Sequence, residues 1–359
     1  MKYICLSLPL FAVFLFTNCG SNSNVDFHEI PNTIEIHKSG LVGDATTFQF
    51  EPIDTIQLDA PGNPAITSVQ DISFGKDFFL IVDVKQGLLK FDNQGNFLQK
   101  IGAKGEGPDE YDVTPAIYLD EKEKVFLVAD WGKMLVIAYN LQGDIIGTSK
   151  KLPGRPVSFY FEQDELLVIQ EGTSSDRANQ QTVLVSSINP QTLEHKGLET
   201  PLYSFVSPLN RIHSFLRPFG NFKEGSLFYF PRERFEGLTE HQDTIYRKSQ
   251  DALVPEYLLQ FKGFNVADTL HLSYMEIVDD HASILFRYKK KPYIIVLDLA
   301  NNIPISYQNQ LFSKELVRID YEGFPKHLKE NAYYSIIRDE ESVEEKNPSI
   351  VFSKLTEPN

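Results

Sequence analysis

Two short segments concentrate the cationic and aromatic chemistry of this chain. Arg211-Ile-His213-Ser-Phe-Leu-Arg217-Pro-Phe219 combines two Arg, a His and two Phe, and Pro231-Arg232-Glu-Arg234-Phe235 follows beyond the apolar run Leu227–Phe230. A guanidinium group pairs a carboxylate through two parallel N–H donors, so this grouping fits an acidic ligand or partner. The competing reading sets the same Arg residues against Asp and Glu of neighbouring elements. The only Trp, Trp131, stands in the turn Asp130-Trp-Gly132. An indole there stacks on a sugar ring or covers an apolar gap.

Metal and nucleophile chemistry has less footing. Asp83 and Asp130 end matching segments, and symmetry could bring them to one axis as hard oxygen ligands for Ca²⁺. An Asp in that place is equally a turn former. In Asp279-Asp280-His281 only Asp279 and His281 share a strand face. The eight His residues are scattered, with no H-E-x-x-H and no zinc spacing. No G-x-S-x-G elbow occurs, and a Ser-His-Asp triad is defined by geometry rather than spacing. No catalytic residue, metal ligand or cofactor is assigned, with Ca²⁺ the one ion kept in view. Gly102-x-x-Gly105-x-Gly107 suggests a phosphate loop, but Pro108 and the strand-like Tyr111–Leu119 follow it where a helix would have to open. These glycines, with Pro108 and Tyr111, read as a structural linker.

The elements that must position these residues are strands. The chain has 359 residues, 42% apolar and 12% aromatic, with 27 Phe and 16 Tyr against three Met. That composition folds, and its aromatic richness suits sheets. Acidic residues outnumber basic ones 49 to 34, for a net charge of −15, which excludes non-specific nucleic-acid binding.

Lys2 precedes an apolar stretch, Ile4–Phe16, that fits a signal-peptide core and is too short to span a bilayer. It ends at Thr17-Asn18-Cys19-Gly20, which resembles a bacterial lipoprotein processing site. Cys5 lies inside the segment to be removed, which leaves Cys19 as the only thiol and excludes an internal disulfide. The expected organisation is a signal peptide over 1–18, a lipidated Cys19 with a flexible tether over 19–30, and one folded unit over 31–359. The first acid after the Cys is Asp26, so the periplasmic and the surface face both stay open.

That unit is a repeat. Phe79-Leu-Ile-Val-Asp83 leads to Leu88-Leu-Lys-Phe91-Asp-Asn-Gln-Gly95-Asn-Phe97-Leu98, and Phe126-Leu-Val-Ala-Asp130 leads to Met134-Leu-Val-Ile-Ala-Tyr139-Asn-Leu-Gln-Gly143-Asp-Ile145-Ile146. Each reads as strand, turn, strand, Asn/Gly turn, strand. Looser copies continue. Taking Phe91, Tyr139, Ile188, Tyr246, Leu297 and Phe352 as third-strand anchors gives intervals of 48, 49, 58, 51 and 55 residues. Six units at that period predict an all-β, six-bladed β-propeller of four-stranded antiparallel blades. Two tandem β-sandwiches are the alternative. The last unit lacks a fourth strand, and Thr46–Leu58 is expected to supply it, closing the ring and removing open edges.

Phe91-Asp-Asn-Gln-Gly95-Asn-Phe97 followed by Ile101-Gly102-Ala-Lys-Gly105-Glu-Gly107-Pro108-Asp-Glu110-Tyr111 resembles the six-bladed β-propeller lipoproteins of Bacteroidetes. The family pattern there is F-D-x-x-G-x-F, then I-G-x-x-G-x-G-P-x-E-Y. Elsewhere Asp243-Thr-Ile-Tyr-Arg247, with Pro255-Glu-Tyr257 following, and the closing Asn347-Pro348-Ser-Ile-Val-Phe352 also resemble this family's sequences. The resemblance implies an exported, lipid-anchored propeller of the cell envelope, at the outer membrane, often linked with glycan or nutrient uptake. Members mostly have no assigned activity. The expected function is a ligand-binding or protein-interaction module, with a glycan, an acidic ligand or an envelope protein as partner. The alternative is a hydrolase or lyase acting on a glycan or small ester through channel carboxylates or a channel metal. Arg211, His213, Arg217, Arg232, Arg234 and Trp131 are the candidate ligand contacts.

Overall fold

The computed structural model describes residues 32–41, 48–59, 65–162, 165–173, 180–197, 203–206, 219–222, 225–229, 241–249, 252–265, 270–308, 322–338 and 347–356. Two strands come first, β1 (Asn32–His37) and β2 (Gln49–Gln57). Blade one holds β3 (Val69–Phe74), β4 (Phe78–Asp83), β5 (Gly87–Asp92) and β6 (Phe97–Ile101); a short parallel pair follows, β7 (Ala103–Lys104) and β8 (Glu110–Tyr111). Blade two holds β9 (Ile117–Asp120), β10 (Val125–Asp130), β11 (Leu135–Asn140) and β12 (Ile145–Thr148). Blade three holds β13 (Arg155–Glu162), β14 (Glu165–Thr173) and β15 (Gln180–Ile188), with β16 (His195–Gly197) and β17 (Tyr203–Val206) both paired to β15. Blade four holds β18 (Phe219–Phe222), β19 (Gly225–Tyr229), β20 (His241–Ser249) and β21 (Ala252–Lys262). Blade five holds β22 (Leu270–Val278), β23 (His281–Tyr288), β24 (Lys291–Asp298) and β25 (Ile303–Gln308). Blade six holds β26 (Lys326–Lys329), β27 (Ala332–Ile337), β28 (Ser349–Thr356) and the returning β2. The six-bladed propeller read from the repeat is the fold.

Each blade hides both of its faces, and this is written in the strands. All six positions of β4 and all six of β10 are buried. Alternate side chains point to opposite faces. Phe79 and Ile81 therefore pack toward blade six with Tyr334, Ile336 and Ile350, while Leu80 and Val82 pack toward blade two with Phe126 and Val128. Six apolar clusters among the described residues bridge successive blades, the sixth joining blade six back to blade one. The repeat is physical as well as textual. Phe79 stacks on Phe91 at 5.5 Å, and Phe126 on Tyr139 at 5.2 Å. Asp92 opens the next turn by accepting the Gln94 and Asn96 amides, as Asn140 does for Gln142 and Asp144. Gly95 sits at φ +88° in that turn, and a Cβ on it would come within 2.3 Å of the Gln57 carbonyl.

Closure follows the expected route. β2 pairs antiparallel with β28, from Gln49 opposite Thr356 to Gln57 opposite Ser349. Phe50 and Leu58 are each 2% exposed. The same segment runs on to blade one, where the Asp59 amide donates to the Gly95 carbonyl and the Phe97 amide to the Asp59 carbonyl. Arg338 and Glu322 fasten the inner side of the same junction. The guanidinium meets the carboxylate at 2.8 Å and the Ile66 carbonyl at 2.9 Å, and the carboxylate accepts the Val69 amide.

One strand adds to the sequence-based expectation. β1 lies parallel along β21 and gives blade four a fifth strand. Ile34 and Ile36 are fully buried in the cluster between blades four and five, which is the force that holds it there. Lys38–Leu41 form a 3₁₀ turn against blade five, where the His37 amide donates to the Tyr307 hydroxyl.

The two ends of the ring differ. At one end the connections are tight turns such as 75–77, 93–96, 121–124 and 299–302. The longer connections, 58–68, 102–116, 207–218, 230–240, 309–325 and 338–348, all leave strand ends at the other, the linker end. Among the described residues no helix is long and apolar enough to cross a membrane.

Candidate functional site

The glycine linker builds the linker end between blades one and two. Tyr111 is 1% exposed; its hydroxyl accepts the Leu88 amide at 2.9 Å and donates to the Ile101 carbonyl at 3.3 Å. Its ring packs between Val82 and Leu88 of blade one and Phe126 and Tyr139 of blade two. Burial pushes its phenol above the usual range. Gly102, at φ +61°, passes so close that a Cβ would stand 3.0 Å from the Tyr111 ring. Farther along, the Gly105 amide donates to the Tyr111 carbonyl, and the Gly107 amide to the Glu110 carboxylate at 2.8 Å. Lys133 donates to the Gly107 and Glu110 carbonyls. Glu106, Gly107, Pro108, Asp112, Gly132, Lys133, Leu135 and Thr148 surround an open pocket of about 410 Å³.

Tyr111→Phe therefore strands the buried Leu88 amide, at a cost of about 1–3 kcal/mol. Urea unfolding followed by circular dichroism should show a lower midpoint at unchanged slope; an unchanged midpoint would remove the hydroxyl from the account of this crossing.

Asp83 and Asp130 hold the linker end together through backbone amides. Asp83 accepts those of Thr67, Ser68, Lys85 and Gln86, and Asp130 those of Asp112 and Lys133. Gln170 occupies the same place in blade three, accepting the Gly154 amide and donating to Ser186 Oγ at 2.7 Å. Burial raises the Asp130 carboxyl, and the two amides oppose that rise. Among the described residues no three His, Cys, Asp or Glu side chains gather as metal ligands. Asp279 has φ +50° in the turn from β22 to β23, and the ring of His281 lies 5.7 Å from Phe48.

Trp131 follows Asp130 as Glu171 follows Gln170. The structure brings these two positions of successive blades together with Arg155. Arg155 and Glu171 are opposite partners on β13 and β14. The guanidinium lies over the indole, its Cζ 4.0 Å from the ring centroid. The indole also packs against the apolar cluster of Val157, Leu167, Ile169 and Tyr246 between blades three and four. All three side chains are half-buried. Trp131 Nε1 and Glu171 Oε2 are themselves buried, and the indole N–H lies close to the Glu171 carboxyl without reaching full hydrogen-bond geometry. Burial pushes the Glu171 carboxyl up to about 8; the nearby indole N–H and the Arg155 charge favour the ionised form but do not offset it.

The sequence singles out Trp131 and misses its two companions. Only the register of β13 on β14 pairs residues 155 and 171. The available signal was a carboxylate closing the apolar run Leu166-Leu-Val-Ile169. Arg211, His213, Arg217, Arg232 and Arg234, like Cys19, lie outside the described residues. Their connections leave the ring at Val206 and Tyr229 and return at Phe219 and His241, strand ends of blades three and four at the linker end.

The domain family DUF4934, described as a domain of unknown function, matches residues 44–357. Among solved structures, a putative exported protein from Bacteroides fragilis superposes with a TM-score of 0.61 at 16% identity, covering 90% of this chain and 99% of its own. A member of the DUF4221 family from Bacteroides vulgatus gives 0.54 at 11% identity, covering 88% and 99%. These likenesses establish the fold. Among curated proteins none matches the chain.

Proposed function

Since the chain belongs to the DUF4934 family, whose function is unknown, we propose from its own geometry that it is an exported binding or interaction module that takes its ligand at the linker end. The observation that carries this reading is the Trp131–Arg155–Glu171 cluster: the half-buried side chains of a cation, an indole and a carboxyl converge, and the buried indole N–H and carboxyl oxygen lie close together without either being fully satisfied. Polar atoms left unsatisfied in a folded protein cost stability unless something else uses them. Glycoside hydrolysis uses a pair of carboxyl groups. This cluster couples its one carboxyl to a cation, an arrangement that favours binding over the hydrolase or lyase reading.

Export rests on the signal-like Ile4–Phe16 segment and on the fold shared with a protein named as exported. Cys19 is the proposed site of lipidation, which would hold the ring at the outer membrane. The uptake of glycans or nutrients, with an envelope protein as partner, is the setting the family resemblance supplies.

Trp131 is the only Trp, so its fluorescence reports on this cluster alone. Titration with neutral oligosaccharides, small carboxylates and peptides should find one class that shifts it saturably and raises the melting temperature by mass action. Arg155→Ala should abolish that response. If every class leaves Trp131 unmoved in the folded protein, the linker-end site is refuted.

A further inference from the structure

Three hydrogen-bonding groups define what the cluster can recognise. Arg155 offers guanidinium N–H donors, Trp131 sets its indole N–H near the Glu171 carboxyl, and Glu171 offers a carboxyl whose buried Oε2 closes no hydrogen bond of full geometry. The other charged groups of the same turn are engaged elsewhere. Asp130 accepts the Asp112 and Lys133 amides, and Lys133 donates to the Gly107 and Glu110 carbonyls. On the far side of Glu171 its strand partner is Val183, and Tyr246 of blade four joins the apolar cluster beneath. Among the described groups, Trp131 and Arg155 are the ones that act on the Glu171 carboxyl.

The protonation state of Glu171 therefore decides the character of the site. With the carboxyl ionised, the cluster contains its own counter-ion for Arg155 and carries no net charge. With the carboxyl protonated, every polar group can donate and the cluster carries one positive charge. A neutral sugar hydroxyl would leave most of these donors half-used; an oxyanion with two oxygens matches them. Because Arg155 already lies on the indole face, that face is not free to stack on a sugar ring.

We propose that the Trp131–Arg155–Glu171 cluster is a receptor for the carboxylate group of a small ligand and binds it only with Glu171 protonated. Arg155 pairs the ligand carboxylate, Glu171 donates its O–H to one ligand oxygen, and the proton stays on Glu171. This inference rests on the linker-end binding reading and specifies its chemistry. A charge-assisted O–H···O⁻ contact is among the stronger hydrogen bonds available to a protein.

The probes are acetate, D-glucuronate and, as the neutral counterpart, D-glucose, followed by Trp131 fluorescence and calorimetry at pH 7 and pH 9. Acetate and glucuronate stay ionised at both values, so any change in affinity belongs to the protein. Apparent affinity scales with the fraction of the competent state, so both should bind about tenfold more weakly at pH 9. Glucuronate binding without acetate binding would place recognition in an acidic sugar; equal binding would place it in the carboxylate alone, and both outcomes support the receptor. Glu171→Gln keeps a neutral donor and should bind the same probes with no pH dependence. Equal wild-type affinity at pH 7 and pH 9, or a pH dependence that survives Glu171→Gln, overturns the proposal. A response to glucose but to neither carboxylate also overturns it, while leaving linker-end binding intact.

Discussion

A chain lacking residues 1–60 melts at least 10 °C below one lacking residues 1–41, and less cooperatively. Both deletions remove β1, so the difference isolates β2. Without β2 the whole pairing edge of β28, from Ser349 to Thr356, is open, and Phe50 and Leu58 leave the core. Burial of such side chains contributes about 1.5–3 kcal/mol each. The contacts to blade one through Asp59 are lost as well. A loss of about 5 kcal/mol is comparable with the whole stability of an ordinary domain. At roughly 2 °C per kcal/mol for a chain of this size, it gives the stated shift. The open edge should also bring concentration-dependent association, because an unpaired strand is a template for another chain. Calorimetry and light scattering on the two chains test both effects. Equal melting temperatures would mean that neither the pairing of β2 with β28 nor the burial of Phe50 and Leu58 holds the ring closed.

The ring was legible because a blade strand buried on both faces leaves a continuous apolar run, as in Phe78–Val82 and Val125–Ala129. Fixed turn chemistry then counts the blades: Asp92 and Asn140 sit at the same step, each three residues before a glycine of positive φ. β1 was not legible. Asn-Thr-Ile-Glu-Ile-His alternates like any outer strand, but nothing local says that it joins β21, more than 200 residues away, or that it runs parallel. Hairpin logic predicts antiparallel neighbours and has no place for a strand arriving from the other end of the chain.

The candidate site was legible only in part, for a related reason. Trp131 stands out as a unique residue type in a turn. Arg155 and Glu171 are ordinary types that gain meaning from register across β13 and β14 and from the reach of the blade-two turn over them. The linker showed the reverse. Its glycines suggest phosphate chemistry by spacing, yet their neighbours are Tyr111, Glu110 and backbone carbonyls, which make a rigid crossing.

Glu171→Gln should make the protein more stable at pH 8 while leaving it unchanged at pH 4. In the unfolded chain the carboxyl ionises near 4.5, and in the ring only near about 8. Between these values the folded state holds a proton that the unfolded state has released, so stability falls as pH rises across that window. The neutral side chain contributes fully below the window, and that contribution is gone above it. A tenfold difference in proton affinity between the folded and unfolded chains is worth about 1.4 kcal/mol, and with the side chain partly exposed the whole effect comes to about 2 kcal/mol. Gln has the same shape and no charge to lose, so the wild-type and variant curves should coincide at pH 4 and separate progressively up to pH 8. Other titrating groups cancel in the difference. Arg155→Met removes the cation that partly favours the ionised form, and should widen the wild-type window toward higher pH. Denaturant midpoints across the range test this, and curves that stay parallel from pH 4 to pH 8 would place Glu171 in contact with water. A strain that Gln relieves is one that a folding requirement alone would not retain, whereas a binding site that needs a protonated carboxyl beside a cation would.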